Sequence, residues 1–148
     1  MPETTLVGPS QRSLEAIIAD VRGWCETRPV KLCAIFGSHA TGKTHPGSDV
    51  DIAVWPLDEP EPLTRLRWAG ELSRLLNAEV SLVIVTWRLD PVLGWEIARE
   101  GQLVYEQEPG LWMHRRAQLW HAYNDALPFR RHLRKVILDT GKERENGP

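Results

Sequence analysis

The chain has 148 residues, 42% of them hydrophobic, and a formal net charge of −2 at pH 7. This size suits one domain with a buried core, and the mildly acidic balance gives no support to direct binding of nucleic acid. The first residues lack a signal-peptide pattern and no apolar run could cross a bilayer, so we expect a cytoplasmic protein without a membrane partner. Cys25 and Cys33 lack metal-ligand spacing and are expected to be buried thiols.

The predicted elements alternate between helices and strands, which indicates an α/β protein. In chain order we first expect a helix that ends before Pro29, followed by strands over 30–36 and 50–55. A helix from Pro62 to about Asn77 and a strand over 80–86 come next. The last predicted elements are a helix from Pro91 to near Gly101, with Asp90 as its cap, and a short strand over 102–106. The buried face of the 62–77 helix is predicted to consist of Leu63, Leu66, Ala69, Leu72, Leu75 and Leu76.

The last third of the chain has a different composition. From residue 111 onward it carries eight Lys and Arg against four Asp and Glu, and aromatic residues such as Trp112 and Trp120 recur at helical spacing until Pro128 interrupts them. The aromatic face could pack on the protein's own sheet or form an interface with another protein. The histidines of this segment have no metal-ligand spacing and are expected at the surface: His114, His121 and His132.

These patterns divide the chain into four parts. We expect a flexible N-terminus (1–9), a core domain (10–106), a C-terminal helical segment of the same domain (107–139) and a disordered tail (140–148).

Two motifs lie between the first two predicted strands. Gly37-Ser38 follows the first strand, and Ser48-Asp49-Val50-Asp51 opens the second. Because side chains alternate across a strand, Asp49 and Asp51 point to one face, where their charges repel unless a cation lies between them. Carboxylate oxygens suit Mg²⁺, which commonly completes its coordination with water and substrate phosphates. The spacing therefore predicts a nucleotide site with Asp49 and Asp51 as metal ligands.

A P-loop is the competing interpretation, since residues 37–44 read G-S-H-A-T-G-K-T and follow a predicted strand. A P-loop must continue into a helix whose N-terminus binds the phosphates. Here Pro46 and Gly47 oppose a helix directly after Thr44. We therefore favour the paired-aspartate site.

Each residue also has an ordinary structural explanation. Gly37-Ser38 could be a simple turn, and Asp49 and Asp51 could be solvated acids before an edge strand, with Ser48 forming a local turn. Their joint spacing instead resembles the minimal nucleotidyltransferase family of the DNA polymerase β superfamily. That resemblance extends loosely to about residue 106.

The resemblance carries expectations for the fold and the site. It implies an α+β nucleotidyltransferase fold, with a small mixed β-sheet flanked by helices and a C-terminal helical segment. Gly37, Ser38 and Ser48 would bind the nucleotide, and Asp49 and Asp51 would act in catalysis and bind Mg²⁺, with ATP as substrate.

One feature departs from the family pattern. The family places a third carboxylate on the next core strand, and the corresponding residue here is Ser81. Glu79 is two residues earlier and on the same face of that strand, so its longer side chain is a candidate catalytic acid. The ordinary explanation, which we favour because charged residues at strand ends usually face water, is an exposed residue at the strand start.

The resemblance also implies a biological role. Minimal nucleotidyltransferases commonly accompany a HEPN-type toxin as its antitoxin, which here would form a hetero-oligomer with the toxin and transfer AMP from ATP to a tyrosine hydroxyl. Two alternatives stay open: an antitoxin that has lost catalysis and acts only by binding, and an enzyme that modifies a small molecule such as an aminoglycoside.

Overall fold

The computed structural model describes residues 13–44 and 48–145. Within them the chain forms five helices and four strands. Their bounds are α1 Leu14–Glu26, β1 Val30–Phe36, α2 Ser38–Thr41, β2 Val50–Pro56, α3 Thr64–Leu76, β3 Val80–Ile84, α4 Pro91–Glu100, β4 Gln102–Glu106 and α5 Leu111–Glu145.

The four strands form one mixed sheet in the order β3-β2-β1-β4. The central strand β1 pairs antiparallel with β2 and with β4, whereas β2 and β3 pair in parallel. The parallel pair requires a crossover, which α3 provides. The expected α+β fold with a small mixed sheet and a C-terminal helix is confirmed.

Both faces of the sheet are covered, so the molecule has two cores. Alternate residues of β1 illustrate the division, because Cys33 and Ile35 contribute to one core and Leu32 and Ala34 to the other. Helices α1 and α3 pack over the first core, and α4 and the start of α5 pack over the second. Strands covered on both faces are expected to be apolar, so a charged side chain on them, such as that of Asp51, calls for an explanation.

Two helices begin with side-chain caps, of which the sequence predicted only Asp90. The Ser13 hydroxyl accepts a hydrogen bond from the Ala16 N–H at 3.1 Å, and the Asp90 carboxylate accepts one from the Val92 N–H at 2.9 Å. Each cap satisfies an amide that has no partner within its helix. Pro91 occupies the first turn of α4, where its missing N–H costs nothing.

Helix α3 differs from the prediction in its start and in its buried face. It begins at Thr64 rather than Pro62, and Leu63 and Leu66 are 71% and 73% exposed. Leu75 is also exposed, and the buried face instead consists of Thr64, Trp68, Leu72 and Leu76. The large indole of Trp68 determines this rotation, because it packs edge-on against Trp24 of α1 with 5.5 Å between ring centroids.

The C-terminal segment also differs from the prediction. Helix α5 continues through Pro128 without a break, and it includes residues 140–145, for which the sequence predicts disorder. Lys, Arg and Glu in this stretch are strong helix formers, which favours the continuation. Strand β3 ends at Ile84, two residues earlier than predicted. The predicted flexible N-terminus, 1–9, and residues 146–148 of the predicted tail lie outside the described residues.

The two cysteines lie in the first core, as predicted. Cys25 of α1 and Cys33 of β1 are free and fully buried. Burial raises the pKa of the Cys33 thiol, and the neighbouring Cys25 raises it further. Both side chains therefore act as small apolar core residues rather than as nucleophiles.

None of the helices within 13–44 and 48–145 is both long enough and apolar enough to span a bilayer.

Candidate active site

The two sequence motifs meet at one edge of the sheet, where β1 ends and β2 and β3 begin. Phe36 is the register partner of Asp51, and Asp51 is in turn the partner of Ser81. Asp51, Ala53 and Trp55 lie on the same face of β2, because every second residue of a strand points to the same side. Ala53 and Trp55 belong to the second core, so the Asp51 side chain projects toward the α4 and α5 side of the sheet. The site is therefore bounded by three strand ends and lies on the face of the sheet that α4 covers.

Gly37 makes the close approach between the two motifs possible. It has a φ of +73° and caps the four-residue helix α2. A Cβ atom at this position would overlap Oδ2 of Asp51, so only glycine fits both the backbone conformation and the space. Ser38 follows at the first position of α2 and is half-buried, which places its hydroxyl beside the same turn.

The paired aspartates differ in exposure. Asp49 is exposed just before β2, and Asp51 is half-buried in the strand. Burial raises the pKa of Asp51, and the charge of Asp49 raises it further, against smaller opposing effects of His39 and a hydrogen bond with Ser81. A cation between the two carboxylates would offset both of the larger effects.

His39 is a site residue that the sequence analysis did not identify. Its Nδ1 lies 3.0 Å from the carbonyl oxygen of Asp49, and because a carbonyl can only accept, Nδ1 carries the proton. The ring is 6% exposed, and among the described residues its Nε2 has no hydrogen-bond partner. His39 thus attaches α2 to the backbone of Asp49. No spacing rule connects the two residues, since the contact depends on how the chain returns to β2.

Glu100 is a second residue that the sequence analysis missed. It is the last residue of α4, and its charge is close enough to Asp51 to contribute to the raised pKa of that carboxyl. Its own Oε1 accepts from Arg99 at 3.0 Å. The sequence carries no signal for this proximity, because Glu100 reaches the site only through the pairing of β4 with β1.

The third strand presents Ser81 and Glu79 at the same edge. Ser81 lies directly beside Asp51, the position that the sequence analysis assigned to the missing carboxylate. Glu79 precedes the strand, its side chain is exposed, and its carbonyl accepts the Val50 N–H at 3.0 Å. Extension of the parallel register places Glu79 next to Asp49. Ser48 is half-buried before β2.

The backbone of residues 37–44 does not support a P-loop. The short helix lies inside the motif, over Ser38–Thr41, and Gly42 ends it in the left-handed conformation. Lys43 and Thr44 are not helical. A P-loop would instead begin its helix at the end of the motif.

The donor set suits a hydrated magnesium ion better than a structural metal. Within 13–44 and 48–145 no three or more His, Cys, Asp or Glu side chains are grouped to hold a metal by themselves. Two carboxylates on one face match the coordination of Mg²⁺ when water and phosphate oxygens supply its other ligands. The residues therefore fit the group that the sequence predicts, and Asp49 and Asp51 are the side chains that would hold it.

Comparison with known proteins identifies the class. The family described as polymerase beta, nucleotidyltransferase matches residues 22–110, which is more than half of the chain. The chain therefore belongs to this family, and the matched range contains every predicted site residue.

Individual relatives refine the comparison. Protein adenylyltransferase MntA of Shewanella oneidensis is 37% identical over 54 residues, which is 36% of this chain and 39% of that protein. The match thus spans less than half of the curated relative. A chain from a mutant of the toxin-antitoxin complex MntA-HpeT superposes with a TM-score of 0.70 at 20% identity, covering 86% of this chain and 99% of that chain.

A second structure shares the fold at lower similarity. It contains a tri-AMPylated HEPN toxin of Shewanella oneidensis in complex with its MNT antitoxin, and it matches with a TM-score of 0.52 at 21% identity, over 90% of this chain and 98% of that chain. Both structural matches show a common fold.

Proposed function

We propose that this chain is a minimal nucleotidyltransferase of the antitoxin type, which transfers AMP from ATP to a tyrosine hydroxyl of a HEPN toxin. The relatives support this assignment, since one is a protein adenylyltransferase and another is an antitoxin bound to an AMPylated toxin. We further propose that the chain forms a hetero-oligomer with the toxin and that it acts in the cytoplasm, where ATP and the toxin would both be present.

The observation that carries the proposal is the close approach of Gly37 to Asp51. It brings the Gly37-Ser38 turn next to the Asp51 carboxylate, two residues from Asp49, and a turn beside paired carboxylates is the combination that binding of a metal-nucleotide complex requires. We assign Gly37, Ser38 and Ser48 to the phosphates, and Asp49 and Asp51 to Mg²⁺. Glu79 remains a candidate acid on the neighbouring strand.

The reaction follows from this assignment. The acceptor oxygen forms a bond to the α-phosphorus of ATP while the bond from that phosphorus to the bridging oxygen breaks, and pyrophosphate leaves with the bonding pair. Bound Mg²⁺ would offset the negative charge on the phosphates and on the departing pyrophosphate. The hydroxyl proton passes to a carboxylate of the site, and Glu79 on the neighbouring strand is the candidate because Asp49 and Asp51 are assigned to the metal.

Labelled ATP tests the proposal. The purified chain is incubated with Mg²⁺ and a HEPN protein, with the label on either the α- or the γ-phosphate; the adjoining reading frame is the place to look for that protein. We expect the α-label on the toxin and none from γ, with AMP located on tyrosine by mass spectrometry. The double variant Asp49→Asn, Asp51→Asn should abolish labelling but retain its fold. Labelling from γ, or labelling by the double variant, would contradict the proposal, and transfer to an aminoglycoside alone would favour the small-molecule alternative.

A second function, inhibition by binding alone, is favoured by one observation. Ser81 occupies the position beside Asp51 where the family pattern has a carboxylate, and a hydroxyl binds metal and protons more weakly. In that case the chain would bind ATP and the toxin and would neutralise the toxin without labelling it. The same assay separates the two functions, because neutralisation by the double variant at wild-type potency would show that transfer is dispensable.

A further inference from the structure

A groove lies between α4 and α5, on the side of the sheet toward which Asp51 projects. Its volume is about 620 Å³. The side chains that form most of its lining are Trp95, Arg99, Met113, Arg116 and Trp120. Of these five, Arg99 touches the site described above, through its ion pair with Glu100.

The groove exposes large apolar side chains. Met113 is 75% exposed and Trp120 is 50% exposed, although both lie on α5, which packs against α4. Trp112, one residue from Met113, is buried against Trp55 of the sheet, so the helix already has an inward face and these two residues lie outside it. Contiguous exposed apolar surface of this kind marks protein contacts, and Trp, Met and Arg are enriched in them.

The groove is bordered by two arginines whose positions are set by neighbouring groups. Arg99 lies over the Trp95 ring at 4.2 Å, and Arg116 donates from Nε to the Ala98 carbonyl at 2.6 Å. Trp95 in turn stacks on Tyr123, with 5.0 Å between centroids. Side chains held in this way lose little freedom on binding, and their charges favour a partner with acidic groups.

The groove also leads to the catalytic edge. Helix α4 runs from Trp95 through Arg99 to Glu100, a distance of about 8 Å at the helical rise per residue. Gln102, two residues after Glu100, pairs with Ile35 of β1, and the next residue of β1, Phe36, is the register partner of Asp51. A protein seated in the groove would therefore have a neighbouring segment within reach of the α-phosphate, which an acceptor protein needs.

We infer that this groove is the docking surface for the acceptor protein, the HEPN toxin, and that it binds an apolar segment of the toxin flanked by acidic side chains. The inference rests on the proposed function, because the toxin is the acceptor only if that proposal holds. Apolar side chains of the toxin contact Met113 and Trp120, and its acidic groups pair with Arg99 and Arg116.

Calorimetric titration with the HEPN protein used in the labelling assay tests the surface. We expect Met113→Glu and Trp120→Glu each to weaken toxin binding at least tenfold and to leave Mg²⁺-dependent ATP binding unchanged. The matched control is Trp87→Glu, a substitution of the same kind at a residue that is 85% exposed and follows β3 at the other end of the sheet. It should bind toxin as wild type does. Arg99→Gln should reduce the salt dependence of binding.

The outcomes separate this inference from the proposed function. Toxin binding that depends on the groove, without AMP transfer by the wild-type chain, would refute the proposed transfer and support the surface. Wild-type affinity in both glutamate variants, with unchanged circular dichroism, would overturn the inference. It would also be overturned if the chain alone formed a dimer that Trp120→Glu dissociates, since a second copy would then occupy the groove, or if the wild-type chain bound no toxin.

Discussion

The carboxyl group of Asp51 is held in surroundings that disfavour its charge. Because its pKa in the folded protein lies above the ordinary 3.8, ionised Asp51 destabilises the fold at neutral pH, and this effect disappears as the pH falls below 3.8. In chelator-treated protein we therefore expect Asp51→Asn to raise the melting temperature at pH 7, by an amount that shrinks as the pH falls toward 4. Thermal unfolding followed by circular dichroism measures this.

A second substitution serves as the control for the effect of Asp51→Asn on stability. Asp58→Asn removes the same charge from the exposed loop after β2 and should change stability by less than about 0.5 kcal/mol. A lower melting temperature for metal-free Asp51→Asn at pH 7 would show that the carboxylate has a stabilising partner.

Substitution of Gly37 tests whether the space between this residue and the Asp51 carboxylate is needed for activity. Gly37→Ala adds a methyl group where the Asp51 carboxylate lies, and it also places a side chain at positive φ, which costs about 1–2 kcal/mol. Gly110→Ala is the matched control, because Gly110 has a φ of +90° and nothing within 4 Å of the added atom. We expect both to lower stability, but only Gly37→Ala to abolish AMP transfer. Equal transfer by the two variants would remove Gly37 from the site.

Ser81 and Glu79 give predictions of opposite sign. If Ser81 is the vacant acidic position, wild type should transfer AMP slowly and Ser81→Asp should raise the rate, because a third carboxylate would improve metal binding and proton removal. If Glu79 supplies the acid, Glu79→Gln should be strongly impaired and Ser81→Asp should gain little, since it adds a like charge beside Asp51. Single-turnover rates distinguish the two, and wild-type rates in both variants would refute both.

Among the helices, α1 and α3 are joined by Glu71. Its Oε1 accepts from Trp24 Nε1 at 3.1 Å and from Arg28 Nε at 3.0 Å, and the carboxylate is mostly buried. Burial raises the pKa of Glu71, but the hydrogen bonds of Arg28 and Trp24 outweigh it and bring the pKa below the ordinary 4.5. The ionised group therefore stabilises the fold above pH 4.5, and this stabilisation is lost as the pH falls through the lowered pKa.

Glu71→Gln removes the charge and keeps the shape. We expect it to lower the free energy of unfolding by about 1 kcal/mol at pH 7, with the difference from wild type shrinking below pH 4.5. Urea denaturation at several pH values measures the effect. Glu59→Gln, in the exposed loop after β2, should be neutral throughout. A difference that persists at pH 3 would show that Glu71 acts through packing.

At the scale of the whole molecule, ligand binding should increase the free energy of unfolding. Mg²⁺ and ATP together should raise the unfolding free energy by about 2.7 kcal/mol when ATP is at one hundred times its dissociation constant, and EDTA should remove the gain. Lys43→Ala should keep most of this gain, because Lys43 is not at the start of a helix. The gain should vanish in the double Asn variant at Asp49 and Asp51. Its loss in Lys43→Ala instead would restore the P-loop interpretation.

The sequence by itself determined the local parts of this protein. Strand alternation places Asp49 and Asp51 on one face, a glycine after a strand permits a tight turn, and Asp90 before Pro91 begins a helix. These features depend on neighbours within a few residues, so their spacing is sufficient to predict them. The order of helices and strands followed from such spacing, whereas the nucleotidyltransferase site is a prediction that rests on the family resemblance of these motifs.

Only the tertiary structure decided what depends on contacts between distant segments. The sequence predicted the wrong buried face for α3, because leucines at several angles satisfy helical spacing and the choice depends on Trp68 packing against Trp24. His39 and Glu100 could not be connected with the site, since one reaches it through the return of the chain to β2 and the other through the pairing of β4 with β1. Long-range strand pairing brings these groups together, and no periodicity within a single segment encodes it.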